Sequence, residues 1–408
     1  VAAKKLRKET WITLIVVAVG LPIAGLAAVL MYMNVTAAPL HPKPEDVTSV
    51  MGTAPSARWS GAAEAARRRV RTGISAQNAP GLSVAVAIGQ DIVWTEGFGW
   101  ANVENRTPVT PNTLFRIGHT SKALTAAAVG LLLERGQLRL EDEIQVSVPA
   151  FPKKQWPITL RQLMGHLAGV RHYLGEEADV PTGHCDRAAD ALPTFANDPL
   201  LFEPQTKSQY STYGWILVSA AVEAAAHEPF FSFMRTQVFK PLGMEDTVPD
   251  SGSLSSPNLA TFYFPRFSGD NEFGQVVAPA VDYSCFSGAG AFLSTPSDLA
   301  RFGMAMGSRK LLKPETIGLL ETPQQIASGK DTEYGLGWTV ETFPLAGQPT
   351  QLVSHASRSL LGGSTAFMIF PQRDIVVAVT TNTSYANLRA IALDVAMAFA
   401  ESKAPAGK

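Results

Sequence analysis

Cysteine is scarce in this chain: two residues, Cys185 and Cys285, in 408. That excludes thiolate-rich metal clusters and multi-bridge scaffolds. His184 and Cys185 are neighbours, but the sequence supplies no further ligands to complete a metal site with them. Outside the cytoplasm the two cysteines can join in a disulfide; otherwise they remain two buried thiols. As a bridge they would close a loop of about 100 residues, worth up to about 4.7 kcal/mol if the gain is entropic. A basic excess is missing too. Lys and Arg total 34 against 35 Asp and Glu, a formal net charge of −1, so nucleic acid is excluded as a general partner. No internal repeat or low-complexity tract is present. Gly-rich stretches such as Ser287-Gly-Ala-Gly290 lack the strand and the Lys-Ser/Thr pair of a phosphate cradle. Neither a metal nor an organic cofactor is implied.

A further absence is local. Residues 11–33, from Trp11 to Met33, carry no charged side chain. As a helix this run spans a bilayer core of roughly 30 Å. Lys4, Lys5, Arg7 and Lys8 precede it against a single Glu9, which orients residues 1–10 to the cytoplasm and the rest across the membrane. Trp11 and Tyr32 stand at its two ends, where interfacial aromatics belong. A cleaved signal peptide, cut at Val35-Thr36-Ala37, is the alternative. The run exceeds the usual signal core of roughly 7–15 residues, which favours an uncleaved anchor. Residues 34–58, with Pro39, Pro42, Pro44 and Pro55, read as a linker.

The remainder, 59–402, is long enough for one large domain. Alanines alternating with Arg67, Arg68, Arg69 and Arg71 predict a helix over 60–72, its arginines on a solvated face. Residues 82–88 and 92–95 are β-rich around Gly89-Gln90, a hairpin. A helix is expected from His119 to Gly136, and another from a cap at Thr295-Pro-Ser-Asp298 to about Met306. β-rich runs return at Gly335–Val340, Gln351–His355, Ser364–Phe370 and Ile375–Thr381, and a final helix covers 386–400. The sheet is thus built from both ends of the domain, about 80–118 and 296–402. A mostly helical insertion, 137–295, lies between. The expected class is α+β: an antiparallel sheet flanked by helices, with an inserted helical subdomain and an N-terminal transmembrane helix.

Residues 114–125 read Leu-Phe-Arg-Ile-Gly-His-Thr-Ser-Lys-Ala-Leu-Thr. The segment resembles the active-site helix start of the serine β-lactamase and penicillin-binding families, where a nucleophile and a lysine are spaced Ser-x-x-Lys. Here Lys122 is in place, and the serine position holds His119. No lysine in the chain has a serine three residues before it. Ser121, next to Lys122, would point about 100° away from it on a helix.

Other segments carry the same resemblance, in order. Ile158-Thr-Leu-Arg-Gln-Leu-Met-Gly-His166-Leu-Ala-Gly-Val-Arg-His172-Tyr173 is similar to the membrane-anchored and mitochondrial β-lactamase-like serine proteases. Tyr210-Ser211-Thr212 matches the second motif, with threonine in its last place. Residues 287–302 match the return to the sheet. His355-Ala356-Ser357 stands where His/Lys-x-Gly is expected, with Ser357 for glycine. The resemblance implies Lys122 as general base, Tyr210 as proton relay and His355 as the cation that orients a substrate carboxylate. It also implies an oxyanion hole from the backbone N–H groups of His119 and Arg358. His166 and His172 are expected to be structural.

The implied reaction is amide or ester hydrolysis through an acyl-enzyme, on a peptide, ester or cell-wall-like small substrate. The expected location is a bacterial inner membrane, single-pass, with the C-terminal domain periplasmic; oligomers occur among relatives. His119 leaves three readings open. The site is silent or slow, a binding or structural pseudoenzyme, since losing such a nucleophile costs on the order of 10⁶ in rate. Or a neutral imidazole attacks, or activates water. Or the residue is a deliberate change, because no single base change turns a serine codon into a histidine codon.

Overall fold

The computed structural model describes residues 2–37, 39–173, 183–267, 270–308, 310–360 and 362–403. Its strands are β1 Ser49–Met51, β2 Gly81–Ile88, β3 Asp91–Asn102, β4 Thr107–Pro108, β5 Phe115–Arg116, β6 Val248–Pro249, β7 Tyr263–Phe267, β8 Asp270–Val277, β9 Phe292–Ser294, β10 Thr339–Leu345, β11 Gln348–Leu360, β12 Gly363–Phe370 and β13 Ile375–Thr381. The main sheet runs β1-β3-β2-β13-β12-β11-β10, with β4 on β3, and its pairs are antiparallel. The fold is mixed α and β with an antiparallel sheet, as the patterning predicts.

The centre of the sheet is buried on both faces, which is why β2 and β13 read as continuous apolar runs. Val84, Val86, Val377 and Val379 point to one side. There they meet helices Ser60–Ala76 and Leu388–Lys403. Ala85, Ala87, Val376 and Ala378 point to the other and join the core shared with helices Ser121–Glu134 and Pro296–Ser308. Small residues allow close contact on this side: a Cβ at Gly303 would fall 2.5 Å from Val376 Cγ1. Helix Ser121–Glu134 is buried all round from Ser121 to Leu132. Truncating one of its leucines, such as Leu124→Ala, is expected to cost about 2–5 kcal/mol.

Three local expectations are corrected. The helix predicted from His119 begins at Ser121, after a 3₁₀ turn over Gly118–Thr120. The strand predicted from Gly335 begins at Thr339, because Gly337 takes φ +100° in a turn. The insertion is less helical than expected: β6, β7, β8 and β9 all lie in it. β6 and β9 are too short to show alternation, while Pro265 and Gly274 mask the pattern of the β7–β8 hairpin.

Helix Ala2–Thr36 contains the uncharged run. Within it Thr10–Thr36 is long and apolar enough to cross a membrane, and its most apolar stretch has no buried residue. Cys185 and Cys285 are joined in a disulfide, with Cα atoms 4.9 Å apart.

Candidate active site

Lys122 lies in the first turn of helix Ser121–Glu134 and is wholly buried. Its Nζ donates to the carbonyl of Ala289 at 2.8 Å and stands 4.9 Å from the centre of the Tyr210 ring. No carboxylate pairs with it among the described residues. Burial therefore holds its pKa well below the ordinary 10.5, which suits a lysine that accepts protons at neutral pH.

Tyr210 precedes helix Thr212–Ala226, whose N-terminus is fixed by Ser211. The Ser211 hydroxyl accepts from Gly214 N at 2.9 Å and donates to Arg171 O at 2.8 Å. Two histidines hold the same turn: Ser211 N donates to His166 Nδ1 and Thr212 N to His172 Nδ1, each at 3.1 Å. Both rings thus act as neutral acceptors. Burial first, then the Lys122 charge, brings His172 down to about 4. His166 lies at φ +60° and packs on the Tyr210 ring, centroids 4.3 Å apart. Although Tyr210 is 36% exposed, desolvation and then the Tyr334 and Tyr173 phenols raise its pKa well above 10.

His119 sits in the 3₁₀ turn before the helix and is 7% exposed. Its Nε2 is 3.3 Å from Thr212 Oγ1 and 3.4 Å from Tyr173 Oη. Its ring centre is 5.5 Å from that of Tyr210. Burial is the largest cause lowering its pKa well below 6.5, followed by Lys122, His355, His172 and His166. The imidazole is neutral at physiological pH.

His355 is on β11 and shares hydrogen-bond distance with the carbonyl of Gly337, 2.9 Å from Nδ1. A carbonyl only accepts, so Nδ1 carries the proton. A side chain at position 337 would crowd Ala126, Trp215 and the Lys122 carbonyl, within 2.9–3.3 Å. Burial, then Lys122, depresses His355 to about 3. At that value His355 is uncharged at neutral pH, the form that orients a ligand by hydrogen bonding. Ser357 is buried with its hydroxyl unpartnered. Arg358 follows at the point where the β11–β12 register shifts. Its side chain is exposed and donates to Tyr385 O at 3.2 Å.

The structure therefore gathers His119, Lys122 and Tyr210, with His355 electrostatically coupled to them and Arg358 further along the same strand. Sequence reasoning gave no role to Tyr173, Thr212 or the carbonyls of Ala289 and Gly337. Tyr173 directly follows His172 in the segment 158–173; carbonyls leave no side-chain signal. The disulfide reaches this site. Cys285 belongs to the turn Ser284–Ala289, whose last carbonyl receives Lys122, and Cys185 N donates to Ser284 Oγ at 2.9 Å. Among the described residues no group of three His, Cys, Asp or Glu side chains could hold a metal ion.

Known proteins share this arrangement of elements. Serine beta-lactamase-like protein LACTB, mitochondrial, of Mus musculus is 28% identical over 460 residues, covering 86% of this chain and 82% of that protein. A beta-lactamase of Escherichia coli (strain K12) is 26% identical over 349 residues, covering 77% and 87% respectively. Two solved structures are similar in fold. The octameric penicillin-binding protein homologue from Pyrococcus abyssi has a TM-score of 0.69 at 24% identity, covering 81% of this chain and 76% of that one. The D-amino acid amidase from Ochrobactrum anthropi SV3 has a TM-score of 0.70 at 20% identity, covering 84% and 99%. Residues 66–401 match the family model described as Beta-lactamase, and the chain belongs to that family.

Proposed function

We propose that this chain is a membrane-anchored β-lactamase-family protein whose acyl-ester chemistry is blocked at His119 and whose cleft is kept for binding. The observation that carries this is the state of His119. A buried neutral ring fills the nucleophile position and directs Nε2 at Thr212 and Tyr173. Lys122 is poised as a base, but at the nucleophile position it has no hydroxyl to deprotonate. Losing a serine nucleophile costs on the order of 10⁶ in rate. The backbone N–H groups of His119 and Arg358 are assigned to an oxyanion site. The ligand class is a peptide, ester or cell-wall-like molecule, in keeping with relatives named as penicillin-binding proteins and amidases.

Residues 11–33 are the anchor; the 34–58 stretch expected as a linker belongs in part to the domain, since β1 Ser49–Met51 pairs with β3 in the main sheet and His41 and Val47 are buried, and the domain faces away from the cytoplasm as in a bacterial periplasm. The disulfide supports an oxidising compartment. Assembly into oligomers is in keeping with the octameric Pyrococcus relative.

A second reading has its own support: an uncharged imidazole is the form that attacks a carbonyl or activates water, and His119 is uncharged. Covalent labelling separates the two. The parent protein and a His119→Ser variant are exposed to a fluorophosphonate and weighed intact. The expected adduct appears on the variant alone. Ester turnover by the parent that disappears in His119→Ala overturns the blocked-site proposal. No adduct on either overturns the serine mechanism for this scaffold.

A further inference from the structure

The outer end of helix Ala2–Thr36 touches the domain at one cation. Arg266, on β7, donates from Nη1 to Thr36 Oγ1 at 3.0 Å and from Nη2 to Tyr32 Oη at 2.9 Å. Its guanidinium carbon lies 5.3 Å from the centre of the Tyr32 ring and 4.9 Å from that of Phe267. No carboxylate pairs with it among the described residues. A cavity of about 260 Å³ opens beside it, its lining including Thr36, Leu40, Tyr263, Arg266, Gln275 and one carboxylate, Glu104, which is engaged by the Tyr263 hydroxyl. The partner strand β8 leaves Val276 39% and Val277 52% exposed. These valines pair with Phe264 and Tyr263, a few residues from Arg266 along the hairpin.

We propose that the β7–β8 hairpin is a lipid-contact surface, with Arg266 taking a phospholipid phosphate and Val276 and Val277 resting at the headgroup–acyl boundary. The proposal rests on helix Ala2–Thr36 being a membrane anchor. Given that, Tyr32 lies at the water–membrane interface, where aromatic belts sit. A group bonded to its hydroxyl lies among headgroups. A guanidinium there has two N–H groups on the anchor and no further hydrogen-bond partner among the described residues, and its planar fork is the geometry that phosphate oxygens match. Lipid is favoured over a protein partner because the chain's own anchor brings the bilayer to this hairpin. The contact fixes how the domain is tilted over the membrane.

The test uses the full chain in nanodiscs of phosphatidylcholine, with and without phosphatidylglycerol. A single spin label is placed by Val277→Cys or, separately, by Leu26→Cys; the native cysteines are already bonded to each other. Accessibility to oxygen and to a water-soluble nickel chelate gives depth. The expected result is a Leu26 label deep in the bilayer and a Val277 label at headgroup depth. Arg266→Gln should shift the Val277 label towards water and leave the Leu26 label unmoved. A deep Leu26 label with a water-exposed Val277 label overturns the hairpin proposal alone. A Val277 label shielded from both probes places protein there and overturns it too. An unmoved Val277 label in Arg266→Gln removes the arginine from it. A water-exposed Leu26 label overturns the anchor and the hairpin together.

Discussion

His119 and Thr212 meet across the site, Nε2 to Oγ1 at 3.3 Å, so the residue expected at the nucleophile position is tied to the turn that carries Tyr210. A ring held there by burial stays neutral. Nitrogen-15 histidine spectra are expected to show His119 and His166 unprotonated at pH 6, His172 titrating near 4 and His355 near 3. A His119 resonance that titrates near 6.5 would refute the neutral, buried ring.

Those titrations couple to stability. Each buried histidine has a folded pKa below its unfolded value of about 6.5. The unfolded chain then binds more protons below pH 6.5, so the contribution is complete above that pH. It is lost as pH falls from 6.5 towards 3–4, by up to about 1.4 kcal/mol per pH unit per proton. His355→Asn keeps a donor for the Gly337 carbonyl and removes one titration. Its melting temperature should fall less steeply between pH 6.5 and 4 than the parent's; parallel curves would refute the assignment.

Lys122 is an energetic burden on the fold. A fully buried amine with one carbonyl partner is disfavoured against an apolar side chain of similar length. Lys122→Met is expected to raise stability by on the order of 1 kcal/mol in urea unfolding. In the His119→Ser background the same change should abolish fluorophosphonate labelling. A marked loss of stability would show that the ammonium holds the Ala289 turn in place.

The disulfide acts on stability and on the site together. Cys185 and Cys285 are 100 residues apart, and opening the bridge should cost up to about 4.7 kcal/mol. Because the bridged turn carries the Ala289 carbonyl, reduction should also slow labelling of His119→Ser at temperatures where the fold persists. A reduced protein with unchanged melting and unchanged labelling would refute both effects.

Much of this was legible in the sequence, for physical reasons. Ile375–Thr381 is a strand from end to end, because a run of β-branched residues between turns has few alternatives. Lys122 and Tyr210 stood in segments that resemble known motifs, and the fold brings them to 4.9 Å. What stayed hidden depends on contacts remote in the chain. The carbonyl that receives Lys122 Nζ belongs to Ala289, 167 residues away. The neutrality of His355 comes from burial against residues that share no pattern with it. The Tyr263–Val277 hairpin was missed since a proline and polar residues break its alternation.

The pairing of β2 with β13 joins Leu82 to Thr381 and Ile88 to Ile375, the central seam of the sheet. During synthesis β2 emerges long before its partner exists. The early strand must wait, with an apolar edge open, while nearly three hundred further residues are made, and contacts of such long range close slowly. Folding thus finishes only once almost all of the domain has been synthesised. Fragments that end before Ile375 are expected to be substrates for proteases and chaperones, whatever the state of the site.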